Sequence, residues 1–155
     1  SVFNLDFGSN SNSIVSAIML TGFIGQILSG YFGDKFDRIK LLSTVFILLL
    51  PLFISIIFVG KKLIIFISIL LAILMYSIQP LINSIIKDIT TLKIRSVVFG
   101  LNFFLMFGLS GLAAYMGGLI ADNYSFKLIF PIFSLLFPIG ILLLYLLQMK
   151  KKVKV

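Results

Sequence analysis

Residues 14–59 read IVSAIMLTGFIGQILSGYFGDKFDRIKLLSTVFILLLPLFISIIFV. Two apolar runs, 14–32 and 41–59, meet across a single charged interruption, Gly30-Tyr31-Phe32-Gly33-Asp34-Lys35-Phe36-Asp37-Arg38-Ile39-Lys40. Each run is close to the roughly 20 apolar residues that a helix, rising about 1.5 Å per residue, needs to cross a hydrocarbon core about 30 Å thick. A membrane barrel strand would be about 10 residues long and would alternate in polarity. These runs are twice that length and do not alternate. Helix is then the spanning structure, because a backbone in lipid must satisfy its amides within the segment.

Three further runs of the same kind follow at 63–86, 97–121 and 126–149, joined by connections too short to hold a soluble domain. The predicted fold class is all-α, a polytopic transmembrane bundle of five spans. Its organisation is a polar segment at 1–13, the bundle at 14–149 and a basic tail at 150–155.

Composition agrees and removes most alternatives. The 155 residues are 60% hydrophobic and 12% charged, against about 45–50% apolar and about 25% charged for soluble domains. The chain has no cysteine and no histidine. That excludes disulfides, thiolate or imidazole metal sites and every Ser-His or Cys-His nucleophile, and no acid pair stands at membrane depth, so neither an enzyme nor a metal or cofactor site is expected. The net charge of +8 is no nucleic-acid footprint, since the cations fall between apolar runs rather than on one solvated face.

The cations set a direction instead. Lys35, Arg38, Lys40, Lys87, Lys93, Arg95, Lys150, Lys151, Lys152 and Lys154 lie on one side of the spans, and Lys61, Lys62 and Lys127 on the other. By the positive-inside rule the first side is cytoplasmic. The N-terminus is expected outside and the C-terminus inside, in a multi-pass protein of the plasma membrane. The chain starts at Ser1 without a methionine or a basic signal-peptide region, which suggests a piece of something longer.

Small residues recur at helical spacing in two spans: Gly22, Gly25, Ser29 and Gly33 in the first, and Gly100, Gly108, Gly111, Ala114 and Gly118 in the fourth. Both stripes are expected to be helix-packing seams. Pro51, Pro80 and Pro138 sit inside spans, where each removes a backbone donor and favours a kink.

The charged interruption resembles the signature loop of the major facilitator superfamily, G-x-L-[AS]-D-[RK]-x-G-[RK]-[RK]. Gly30, Asp34, Lys35 and Arg38 match it, and Phe32 and Gly33 are close substitutes. The resemblance implies a lock that holds the cytoplasm-closed state of a transporter, carried here by Asp34 and Arg38. Two positions depart from the pattern, Asp37 where glycine is usual and Ile39 where a second basic residue is common. On physical grounds Gly30 and Gly33 permit close helix approach, Asp34 can cap a neighbouring helix N-terminus, and Lys35 and Arg38 can pair with acids or helix C-terminal carbonyls. The helix that partners the loop is expected outside this sequence.

A second, weaker resemblance covers 117–126, which looks like the end of a fifth or eleventh helix of the same superfamily. That fold has twelve spans in two repeats. The basic C-terminal tail, together with Ala114 where a fifth-helix proline would stand, assigns the five spans to helices eight to twelve. The implied partners are a missing N-terminal half, the lipid bilayer and a small-molecule solute.

No ionisable residue lies deep in a span, so polar contacts with a solute would fall to Gln26, Tyr76, Gln79, Asn83, Asn102 and Tyr115. Tyr76, Gln79 and Asn83 share one face of the third span and, with Tyr115, are the candidate cavity residues; interhelical hydrogen bonding is the plain alternative. Gln26 is expected to pack, and Asn102 to reach water or headgroups. The competing reading of the whole chain is a small five-span scaffold or accessory subunit without transport activity, which would self-associate through its glycine faces.

Overall fold

The computed structural model describes residues 11–124 and 126–153. The chain runs through α1 (Ser11–Lys35), α2 (Arg38–Ser55), α3 (Lys61–Ile89), α4 (Leu92–Asn123), a short 3-10 turn (Phe126–Leu128), α5 (Ile129–Ser134) and α6 (Leu136–Val153). Five stretches are long and apolar enough to cross a membrane: Asn12–Lys35, Arg38–Ser55, Leu63–Ile89, Leu92–Asn123 and Ile129–Met149. The polar segment 1–13 lies outside the described residues as far as residue 10; its last three residues form the first turn of α1. Of the basic tail, 150–153 continue α6, and 154–155 lie outside the described residues.

Within α2, Ile39, Leu42, Val45 and Leu49 recur at three- and four-residue steps, so their side chains share one face. That face is buried against Leu81 and Ile85 of α3 and Leu144 of α6. Leu49 and Leu81 are sealed completely, at 0% and 1% exposure. An aromatic group extends the contact toward the last span, with Phe53 edge-on to Phe137 at 5.1 Å between ring centroids and to Phe130 at 6.0 Å.

α1 packs chiefly on α3. Its small-residue stripe is the reason: Gly22, Gly25, Ser29 and Gly33 are all buried. A Cβ at Gly25 would fall inside the van der Waals shell of the Ile73 carbonyl, and one at Gly22 would lie 2.6 Å from the Tyr76 ring. Here the backbones of two helices touch, which only glycine allows.

The fourth span does not repeat this. Among the described residues, Gly100, Gly108, Gly111 and Gly118 face open space, and α4 meets α3, the 3-10 turn and α5 alone. Gly117, one position off the stripe, is the buried residue of α4. Gly100, Gly108 and Gly111 of the stripe therefore meet no neighbour among the described residues, contrary to the packing expected of them, while Ala114 and Gly118 line a recess with Ile129 and Phe133.

The last span, expected as one helix over 126–149, is broken at Leu135. Pro138 has no N–H to give the carbonyl four residues back, at Ser134. The chain tightens there: Leu135 N–H donates to the Ile132 carbonyl at 3.3 Å, and the Ser134 hydroxyl to the Pro131 carbonyl at 2.7 Å.

Candidate functional site

Two short connections lie at the same end of the bundle. Phe36 and Asp37 join α1 to α2, and Thr90 and Thr91 join α3 to α4. Asp37 makes the first turn abrupt. With extended backbone geometry (φ −62°, ψ 115°), it accepts at one carboxylate oxygen from the amides of Ile39 and Lys40, both at 3.0 Å. These are two of the unpaired amides that every helix start exposes, and the anion also sits at the positive end of the helix dipole.

Capping was expected of Asp34, and the structure gives it to Asp37. Asp34 belongs to the last turn of α1, so it stands at a helix C-terminus, where no free amides are available. It turns instead to Arg38, whose Nη2 donates to its Oδ1 at 3.3 Å.

Arg38 collects the site. Its Nε donates to the Gly33 carbonyl at 2.9 Å, one of the open carbonyls at the end of α1. Its Nη1 donates to Oδ1 of Asp88 at 2.6 Å, on the last turn of α3. The exposure is graded: 81% for the Asp34 side chain, 36% for Asp88 and 27% for Arg38. Arg38–Asp88 is therefore the better shielded and shorter of the two ion pairs, and Asp34 is the more weakly held partner.

Within the described residues, Arg38 finds its acid on α3. Asp88 escaped the sequence reading, although it is one of only five acids in the chain and ends a span on the side where Arg38 starts one. Lys35 finds no acid among the described residues; its ammonium donates to the Tyr31 hydroxyl and lies 4.1 Å from that ring's centroid. Gly33 fits against Leu81 at 3.2 Å, as close approach requires, whereas Gly30 faces open space.

α3 is gripped from its other side as well. Arg95, in the first turn of α4, donates through Nη2 to the carbonyls of Lys87 at 3.1 Å and Thr90 at 3.2 Å. Its Nε is buried without an acceptor among the described residues, as is Nδ2 of Asn102 two turns further along α4. Asn102 was expected to reach water or headgroups, and its amide nitrogen does not.

The four candidate cavity residues lie on α3 and α4. Tyr76 packs on Gly22 and lines an apolar recess of about 630 Å³ shared with Ile18, Met19, Ile64 and Ala72. Gln79 spends a donor on Asn83 of its own helix, at 3.3 Å. Tyr115 stands 68% exposed on α4.

Residues 2–155 match the family model described as Major Facilitator Superfamily. No curated protein and no solved structure matches the chain.

Proposed function

The chain belongs to the major facilitator superfamily, and from that premise we propose that it moves a small solute by alternating access, with the 30–40 loop as a cytoplasmic gate. Members of this family are membrane transporters rather than enzymes, and their fold has twelve helices, of which this chain carries five. In the proposal these five are helices eight to twelve, and the solute passes between them and an N-terminal half near the bilayer midplane.

The observation that carries the gate is the position of Arg38. One guanidinium holds the end of α1, the start of α2 and the end of α3 together. The Arg38–Asp88 pair and the carbonyl contact are each worth about 1 kcal/mol, and the exposed Asp34 pair less than about 0.5 kcal/mol. That is enough to bias two conformations and little enough to be broken in every cycle. Asp34 and Asp88 then act as alternative anchors for Arg38, the second the firmer one. Gly30, Gly33 and Lys35 shape the loop around it.

This chain has no cysteine of its own, so with any thiols elsewhere in the transporter replaced, an introduced one is labelled alone. Ser29 is buried where α1 faces α3, one turn inside the gate. Cysteine placed there, in the transporter in its membrane, reports opening of this end by its rate of maleimide labelling. With Asp88→Asn the rate is expected to rise several-fold, and with Asp34→Asn by less. Labelling that ignores both substitutions would sink the gate. Turnover slowed more than equilibrium solute binding is the matching expectation for transport itself.

A further inference from the structure

We propose that the corner between α3 and α4 holds the headgroup of an anionic phospholipid, with Lys87 and Lys93 as its phosphate contacts.

The corner reads Lys87-Asp88-Ile89-Thr90-Thr91-Leu92-Lys93-Ile94-Arg95. Its one carboxylate is already engaged, since Asp88 is paired with Arg38 at 2.6 Å. The other two acids at this end are engaged too, Asp34 by Arg38 and Asp37 by the amides of α2. Lys87 and Lys93 are exposed, and neither ammonium has a partner among the described residues. Arg95 adds a third positive charge that meets only backbone carbonyls, with its Nε left without an acceptor. The corner therefore presents two exposed ammoniums backed by the partly buried charge of Arg95, with no unpaired carboxylate beside them among the described residues.

A soluble phosphate would answer the charge but not the neighbours. Between the cations stand Ile89, Leu92 and Ile94, exposed at 60%, 81% and 51%. They stand where the apolar stretch Leu63–Ile89 ends and Leu92–Asn123 begins, so cationic and apolar side chains alternate along the corner. A molecule with a phosphate above and acyl chains below satisfies both. Each cation near an anionic leaflet contributes about a fivefold gain in binding, so the lysine pair accounts for roughly twenty- to thirtyfold.

The test uses the whole transporter that contains this chain, in mild detergent. Phosphatidylglycerol or phosphatidylcholine is titrated in, and native mass spectrometry counts the lipid each chain retains. Wild type is expected to prefer phosphatidylglycerol. Lys87→Gln with Lys93→Gln should lose most of that preference, while Lys87→Arg with Lys93→Arg should keep it. Lys61→Gln with Lys62→Gln removes the same charge from the other end of α3 and should change nothing. Equal retention of the two lipids by wild type overturns the proposal, and so does an equal loss in the Lys61/Lys62 pair, which would mean net charge alone. Displacement by millimolar inorganic phosphate would equally overturn the lipid assignment. Should the double glutamine variant lose its helical circular dichroism, Lys93→Gln alone carries the test at about fivefold.

Discussion

Arg38 and Asp88 meet at 2.6 Å although fifty residues separate them, and through this contact the first turn of α2 is tied to the last turn of α3. Asp34, four residues from Arg38, sits farther away at 3.3 Å and is far more exposed. The long-range pair should therefore matter more than the local one. Asp88→Asn is expected to cost about 1 kcal/mol and Asp34→Asn less than about 0.5 kcal/mol, since exposed i,i+4 pairs contribute little. A double-mutant cycle with Arg38→Gln, followed by thermal unfolding in detergent, measures both couplings. An Asp34 coupling larger than that of Asp88 would reverse the assignment of anchors.

Asp37 offers a separate handle because its work is local. Replacing it with alanine frees the amides of Ile39 and Lys40 and should cost about 1 kcal/mol, whereas glycine should cost only a few tenths. Glycine is also the residue usual in the loop pattern that the sequence resembles. Asp37→Ser should restore most of the loss through a hydroxyl cap. Unfolding temperatures in the order Asp37, Ser, Gly, Ala from highest to lowest are expected; alanine equal to wild type would show that the cap contributes nothing.

How far these features were legible beforehand depends on the distance over which each is decided. Five spans could be read directly, because crossing hydrocarbon demands a length and an apolarity that no other element shares. The seam of α1 was legible for a similar reason, since small residues at helical spacing have few uses besides close packing. The same spacing in α4 misled. Spacing says which residues share a face, not which neighbour that face meets, and Gly108 and Gly111 meet none in the described bundle. Asp34 was given the cap because the helix boundary was not placed; once α1 ends at Lys35 and α2 begins at Arg38, Asp37 alone stands where a cap must stand. Asp88 could not be assigned to Arg38 at all, because that pairing follows from how α2 and α3 pack and from nothing local to either.

The two glycine stripes should respond in opposite ways to one methyl group. Gly25→Ala would press a Cβ into the Ile73 carbonyl, so α1 and α3 must separate along their contact. A loss of several degrees in unfolding temperature, or of folded protein altogether, is expected. Gly108→Ala meets nothing within 4 Å. There the helix should gain, by up to about 1 kcal/mol from propensity alone. Equal tolerance at both positions would mean that the α1–α3 backbone contact is absent. Destabilisation at Gly108 would reveal a neighbour on the outward face of α4.

Gln79 and Asn83 can be separated from a solute-binding role by changing them together. Their side chains bond to one another within α3, Nε2 to Oδ1 at 3.3 Å. Asn83→Leu alone leaves the Gln79 amide without its acceptor, which should cost about 1–3 kcal/mol where the pair is shielded. Changing both to leucine removes donor and acceptor at once and should restore much of the stability, because neither polar group is then left unpaired. If these residues only satisfy each other, solute binding by the double variant should match wild type within about twofold, a difference of about 0.4 kcal/mol. If the pair also faces the transport pathway, the double variant will be stable and yet defective in binding. That outcome would return Gln79 and Asn83 to the solute path on functional grounds, and it is read by comparing the solute dissociation constant with the unfolding temperature across the three variants.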